Sequence, residues 1–215
     1  MFEIAEDPSA AVSPRERRRA ETREEIVAAA WELARRDGLA GISLRELGKR
    51  VGLKASSLYA YFDSKGALYD EMYRRGYRDL LELARRWVVE FEAADDRRAA
   101  FTSSTREFFQ LCIDDPVRYQ LLFQRTIPGW EPSTDSYAVA VTYVDQLRSS
   151  FELVGLNDEH AIDMWTAVLT GLTSQQLSND PGGDRWFRLV EDAVEMFFRH
   201  YPSTIPTTVP STDEE

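Results

Sequence analysis

Apolar residues in this chain recur at the spacing of helices rather than alternating as strands do. Ile26, Ala30, Leu33 and Ala34, extended by Trp31, fall on one side of a helix. Ser13, Pro14 and Glu16 occupy its N-cap, first and third positions, and Gly38 closes it about six turns later. Residues 43–62, SLRELGKRVGLKASSLYAYF, predict two short helices folded around a glycine turn, with Leu47, Val51, Leu53, Leu58 and Phe62 pinning one across the other. Gly48 is the small residue at the crossing, and Gly52 stands where the backbone turns sharply. Ser43 and Glu46 have the spacing of a capping box at the start of the first of these helices. Lys54 opens the second without a good cap.

Beyond Phe62, Asp63-Ser64-Lys65 opens a long helix carrying Leu68, Met72, Leu80, Leu83, Trp87 and Phe91, ending near residue 92. Ala94-Asp95-Asp96 marks a break, and a fifth helix runs to about Ile113. Asp114-Asp115-Pro116 stops that helix and starts the next, because proline suits a first helical position. Residues 128–132 are a loop. Further helices are predicted over 136–153, over 158–178 with Asn157 as cap, and over 185–200 with Asp184 as cap. The segment from Pro202 is Pro, Ser, Thr and acid, too poor in apolar residues to pack.

The expected fold is therefore all-α. Its divisions are a disordered segment 1–12, a helix-turn-helix domain 13–62, a larger helical domain 63–201 and a disordered tail 202–215. The chain has 215 residues and 43% apolar content, enough for a small module joined to a larger body. Cys112 is the single cysteine, so there is no internal disulfide. With His160 and His200 it makes no metal-ligand cluster. No run approaches a membrane span and the first twelve residues are acidic rather than a signal, so a cytoplasmic protein is expected.

A net charge of −11 argues at first against a polyanionic partner. The average conceals an asymmetry: residues 13–62 carry 11 Lys and Arg against 7 Asp and Glu, a balance of +4, whereas residues 63–215 sum to −12. The positive part holds the helix-turn-helix, the commonest device for seating a helix in the DNA major groove.

Residues 14–72, and within them the string SLYAYFDSKGALYDEMY, resemble a TetR-family transcriptional regulator. The family pattern of a small residue, Gly-Val-Ser, Thr-Leu-Tyr, Phe and Ser-Lys is met here by Val51, Gly52-Leu53-Lys54, Ser57-Leu58-Tyr59, Phe62 and Ser64-Lys65. The departures are Lys54 where a capping serine is usual, Gly48 for alanine and Gly66 for glutamate. The resemblance implies about nine helices, the first three binding DNA and the rest forming a ligand-binding and dimerisation domain. It implies a homodimer on double-stranded DNA at a palindromic operator, released by a small-molecule effector, with no cofactor and no catalytic residue.

The DNA-binding residues on this reading are Arg45, Lys54, Ala55, Ser56, Ser57, Tyr59, Ala60, Tyr61 and Lys65. Small side chains let the backbone approach the groove, hydroxyls reach phosphates or bases, and cations neutralise phosphates. Arg15, Arg17, Arg18 and Arg19 suit either a DNA-contacting arm or a solvated charged turn, since Glu16, Glu21, Glu24 and Glu25 lie among them. The ligand-pocket candidates are Phe108, Phe109, Cys112, Tyr119, Phe123, Trp130, Tyr143, Trp165 and Leu169, because apolar sites in helical bodies are lined by such side chains. The same residues also make ordinary cores.

Ile162, Trp165, Val168, Leu169 and Leu172 on one helix, with Phe187, Val190, Val194, Phe197 and Phe198 on another, form faces more apolar than a lone chain would hide, so they are the expected dimer interface. Two rival readings stand beside the repressor: a DNA-binding regulator without an effector, and an all-helical enzyme acting on an apolar small molecule. No nucleophile elbow, metal cluster or phosphate loop supports the enzyme.

Overall fold

The computed structural model describes residues 13–201; the segments read as disordered, 1–12 and 202–215, lie outside the described residues. Among the described residues there are nine α-helices, one short 3-10 helix and no strand. The chain divides into two compact units, one ending at Leu68 and the other beginning at Tyr69. The sequence pattern puts the boundary at Phe62. The division falls later because the next helix starts within the first unit, where the Lys65 ammonium donates to the Ala40 carbonyl at 2.6 Å.

The first unit contains α1 (Pro14–Asp37), α2 (Leu44–Arg50) and α3 (Ala55–Leu58). The start of α1 is a complete capping box, with the Glu16 N–H donating to Ser13 Oγ at 3.2 Å and the Ser13 N–H to the Glu16 carboxylate at 2.9 Å. That hydrogen bonding holds the Glu16 carboxyl below its usual range. Ile26, Ala30, Trp31, Leu33 and Ala34 are all buried, as are Leu47, Leu58 and Phe62. Each fully buried large side chain contributes about 1.5–3 kcal/mol. Gly52 takes φ +69°, the left-handed conformation that the turn between α2 and α3 requires. At Ser43 only half of the expected box forms. Its hydroxyl caps Glu46, while the Glu46 carboxylate accepts from Arg36 at 2.5 Å, a charged partner that outcompetes a backbone N–H.

The second unit is built from α4 (Lys65–Ala93), whose first turn precedes the boundary, α5 (Arg97–Asp114), α6 (Pro116–Phe123), α7 (Thr134–Leu153), α8 (Glu159–Asn179) and α9 (Val190–His200). Leu80, Trp87 and Phe91 on α4 join one aromatic-rich core with residues of α5 to α9. Gly76 allows α4 and α6 to approach closely: a Cβ there would lie 2.7 Å from Leu122 Cδ2.

Several predicted starts shift because a better acceptor stands nearby. Helix α7 begins at Thr134, capped by Ser133, whose own hydroxyl and N–H are held by the Asp70 carboxylate at 2.5 and 2.7 Å. Asp158, not Asn157, caps α8, accepting from the His160 N–H at 2.8 Å. Asp184 caps no α-helix. Gln176, fully buried on α8, accepts from the Trp186 and Phe187 N–H groups, the segment passes through a 3-10 turn at Phe187–Leu189, and α9 begins only at Val190.

Candidate nucleic-acid interface and apolar cavity

The second helix of the motif is shorter than its sequence suggests. Four residues are α-helical, after which Ala60, Tyr61 and Phe62 continue as turns, their N–H groups returning to the Ser57 and Leu58 carbonyls. Leu58 and Phe62 point inward and are buried. Ser56, Ser57, Tyr59 and Ala60 are therefore left exposed, Tyr59 with half of its surface free. Ala55 opens the helix, and its side chain lies outside what the structure describes.

Two arginines of α1 hold the far end of this element. Arg19 donates to the Ala60 carbonyl at 2.7 Å and lies over the Tyr61 ring; Arg23 donates to the Tyr61 carbonyl at 3.2 Å and stacks 4.5 Å above Phe62. Carbonyls at a helix C-terminus lack intrahelical donors and carry partial negative charge, so two guanidinium groups are the complementary partners. Residues 15–19 form the first turns of α1 rather than a separate arm, and Arg19 faces the protein. Tyr61 is half-buried beneath it.

The cations divide in the same way. Arg36 is bound to Asp37 and Glu46, which raise its pKa, and Arg50 is bound to Glu32. Lys65 stands at the start of α4, half-buried, with its ammonium on Ala40. Arg45 and Lys54 are exposed and form no ion pair within the described residues. Lys49, not singled out from the sequence, is in the same condition on α2.

The second unit holds a cavity of about 180 Å³ that opens to the surface. Of the nine pocket candidates, Phe108, Phe123, Tyr143, Trp165 and Leu169 line it. Phe109, Cys112, Tyr119 and Trp130 do not. Phe109 packs edge-on to Phe187, Tyr119 bonds to Thr170 and Ser174, and Trp130 packs against Tyr69 and Tyr73. Burial raises the Cys112 thiol far above its ordinary pKa, which leaves it a poor nucleophile. Sequence spacing gave no sign that Tyr77, Trp87, Phe91 and Phe101 share the same wall, because aromatic periodicity marks core and cavity alike.

The expected dimer faces need correction. Trp165, Leu169, Val190, Val194, Phe197 and Phe198 are buried in the chain's own core, where Trp165 and Phe197 lie 4.8 Å apart and Phe101 meets both Trp165 and Phe198. Ile162, Val168, Leu172 and Phe187 are half-buried. What α8, the 3-10 turn and α9 leave uncovered is narrower: Met164, Gly171, Leu189 and Met196, with half-buried Val168 and Leu172 beside them. Hydrophobicity showed that these helices pack, but not that the partner is the chain itself.

An all-helical protein with an N-terminal helix-turn-helix unit and a separate helical body holding an apolar cavity is the class that the fold and site define. Residues 26–72 match the model of the bacterial regulatory proteins, tetR family. HTH-type transcriptional regulator Rv1816 of Mycobacterium tuberculosis is 29% identical over 131 residues, covering 59% of this chain and 56% of that protein. HTH-type transcriptional repressor Rv1353c of the same organism is 26% identical over 145 residues, covering 67% of this chain and 52% of its own length. The chain thus spans about half the length of the curated relatives it matches.

Among solved structures, that of regulatory protein SCO4313 superposes with a TM-score of 0.72 at 25% identity, covering 87% of this chain and all of that one. The regulator FadR of Bacillus subtilis, solved in complex with stearoyl-CoA, shares the fold at TM-score 0.57 and 14% identity, covering 81% of this chain and 96% of its own. Residues 26–72 thus carry the helix-turn-helix segment of the bacterial regulatory proteins of the tetR family, and the chain is similar to transcriptional regulators in sequence and in fold.

Proposed function

We propose that this protein is a dimeric, ligand-responsive repressor that reads a palindromic operator in double-stranded DNA with α3 and the turn that follows it, acting in the cytoplasm. The observation that carries the reading is the outward set Ser56, Ser57, Tyr59 and Ala60 on a helix held from behind by Leu58 and Phe62, with unpaired Arg45 and Lys54 beside it. Hydroxyls and a phenol at that position suit base edges and phosphates, and the two cations suit the backbone.

Two copies on a palindrome place their reading helices one helical turn of DNA, about 34–36 Å, or a multiple of it, apart. Met164 and Gly171, exposed on α8 beside half-buried Val168 and Leu172, support a two-fold partner, in which the same face of each copy meets the other. The cavity supports an effector. A small molecule that fits one state of the body better than the other moves operator affinity roughly 5- to 150-fold for a coupling of about 1–3 kcal/mol.

The test is titration of the protein with duplexes from the DNA flanking its own gene, at several salt concentrations. Sequence-selective binding that weakens steeply with salt is expected. Tyr59→Ala should lower operator affinity about tenfold with an unchanged melting temperature, since an exposed ring contributes little to the core. Equal affinity for all sequences, or no loss in the variant, would overturn the assignment of the reading face.

A further inference from the structure

The cavity of the second unit combines three properties that restrict what it can hold. It is small: at about 180 Å³ it is comparable with an engineered apolar cavity of about 150 Å³ that takes up benzene. Its wall is almost wholly carbon, and no Asp, Glu, Lys, Arg or His lines it. The hydroxyls that reach it are largely committed to their own helices. Ser104 and Thr105 donate to the Phe101 carbonyl at 2.9 and 2.8 Å, Ser150 to Gln146 at 3.1 Å and Thr170 to Thr166 at 2.6 Å.

Two polar groups differ. The Tyr143 hydroxyl and the Trp165 indole N–H make no hydrogen bond with any described residue, although both side chains are buried and line the cavity. A polar group that faces an apolar cavity gains by pairing with a group brought in by a ligand. The rings of the wall also pack on one another, Phe101 edge-on to Phe151 and Tyr77 edge-on to Tyr143, which leaves few faces for a cation. Exposed Val144 and Thr166 mark where the wall meets the surface between α7 and α8.

We infer that the effector is a neutral, compact, mainly apolar molecule about the size of one substituted aromatic ring, with a single polar group paired to the Tyr143 hydroxyl. The inference rests on the reading of the cavity as an effector site. It disfavours anions: a phosphorylated carrier finds no cation in this wall.

Calorimetric titration of the full chain at neutral pH with toluene, benzyl alcohol, benzoate and benzylammonium isolates charge at nearly constant shape. Toluene and benzyl alcohol are expected to bind, and both ions at least about a hundredfold more weakly, because no group in the wall compensates a buried charge. Tyr143→Phe should weaken benzyl alcohol roughly three- to tenfold and leave toluene unchanged. Val144→Trp, at the exposed edge, should block both while the melting temperature holds.

Tighter binding of either ion, or benzyl alcohol unaffected by Tyr143→Phe, overturns the inference. So does a failure of every neutral ring compound to bind. In that case retained sequence-selective DNA binding leaves the regulator reading standing; absence of DNA binding removes that reading whatever occupies the cavity.

Discussion

Replacing Arg23 with alanine tests whether α1 holds the reading element in place. The guanidinium donates to the Tyr61 carbonyl and covers the face of buried Phe62. A hydrogen bond from a charged donor at a partly buried site is worth about 1 kcal/mol net, and a guanidinium on an aromatic face about 0.5–1 kcal/mol. Solvent screening trims the sum, so a loss of about 1–2 kcal/mol is expected, confined to the first unit. Arg23→Lys keeps the charge but not the planar stack and should fall between. Arg17→Ala, at an exposed position of α1, serves as control and should shift stability by no more than about 0.5 kcal/mol. The assay is amide hydrogen exchange over residues 55–62, with a urea titration beside it. Protection there should fall in Arg23→Ala while residues 97–114 keep theirs. Exchange indistinguishable from Arg17→Ala would refute the anchoring role.

Gly52→Ala should destabilise the first unit by about 1–2 kcal/mol, and Gly52→Asn by less: a Cβ at that position has free space, so the cost is that of a left-handed φ alone, visible as a lower urea midpoint. Gly171→Arg should leave the monomer fold intact, because nothing lies within 4 Å of a Cβ there, yet convert a dimer to monomers and weaken operator binding; sedimentation equilibrium checks it, and a variant that remains dimeric would place the interface elsewhere.

The elements that local chemistry determines were legible from residue order. Ser13 with Glu16 defines the start of α1, Gly52 the turn, and the positions of Leu47, Leu58 and Phe62 the crossing of the motif. What failed was decided by partners distant in sequence. Glu46 abandons its box for Arg36, ten residues away, and Gln176 delays α9 by taking the N–H groups that a regular helix start would have left free. Arg19 suited an arm and a solvated charged turn equally, because its acceptor, Ala60, is invisible from its own neighbourhood. The apolar faces of α8 and α9 illustrate the same limit at larger scale. Periodicity reports that a face is covered, and Phe101 and Phe151 cover much of this one from within the chain.

The most direct test of the central claim is nuclear magnetic resonance of the chain with and without an operator duplex, followed residue by residue. Shifts concentrated at Ser56, Ser57, Tyr59 and Ala60, with Arg45 and Lys54 responding to salt, are the predicted result. Shifts centred on α7, α8 or α9, with residues 43–62 unmoved, would contradict it.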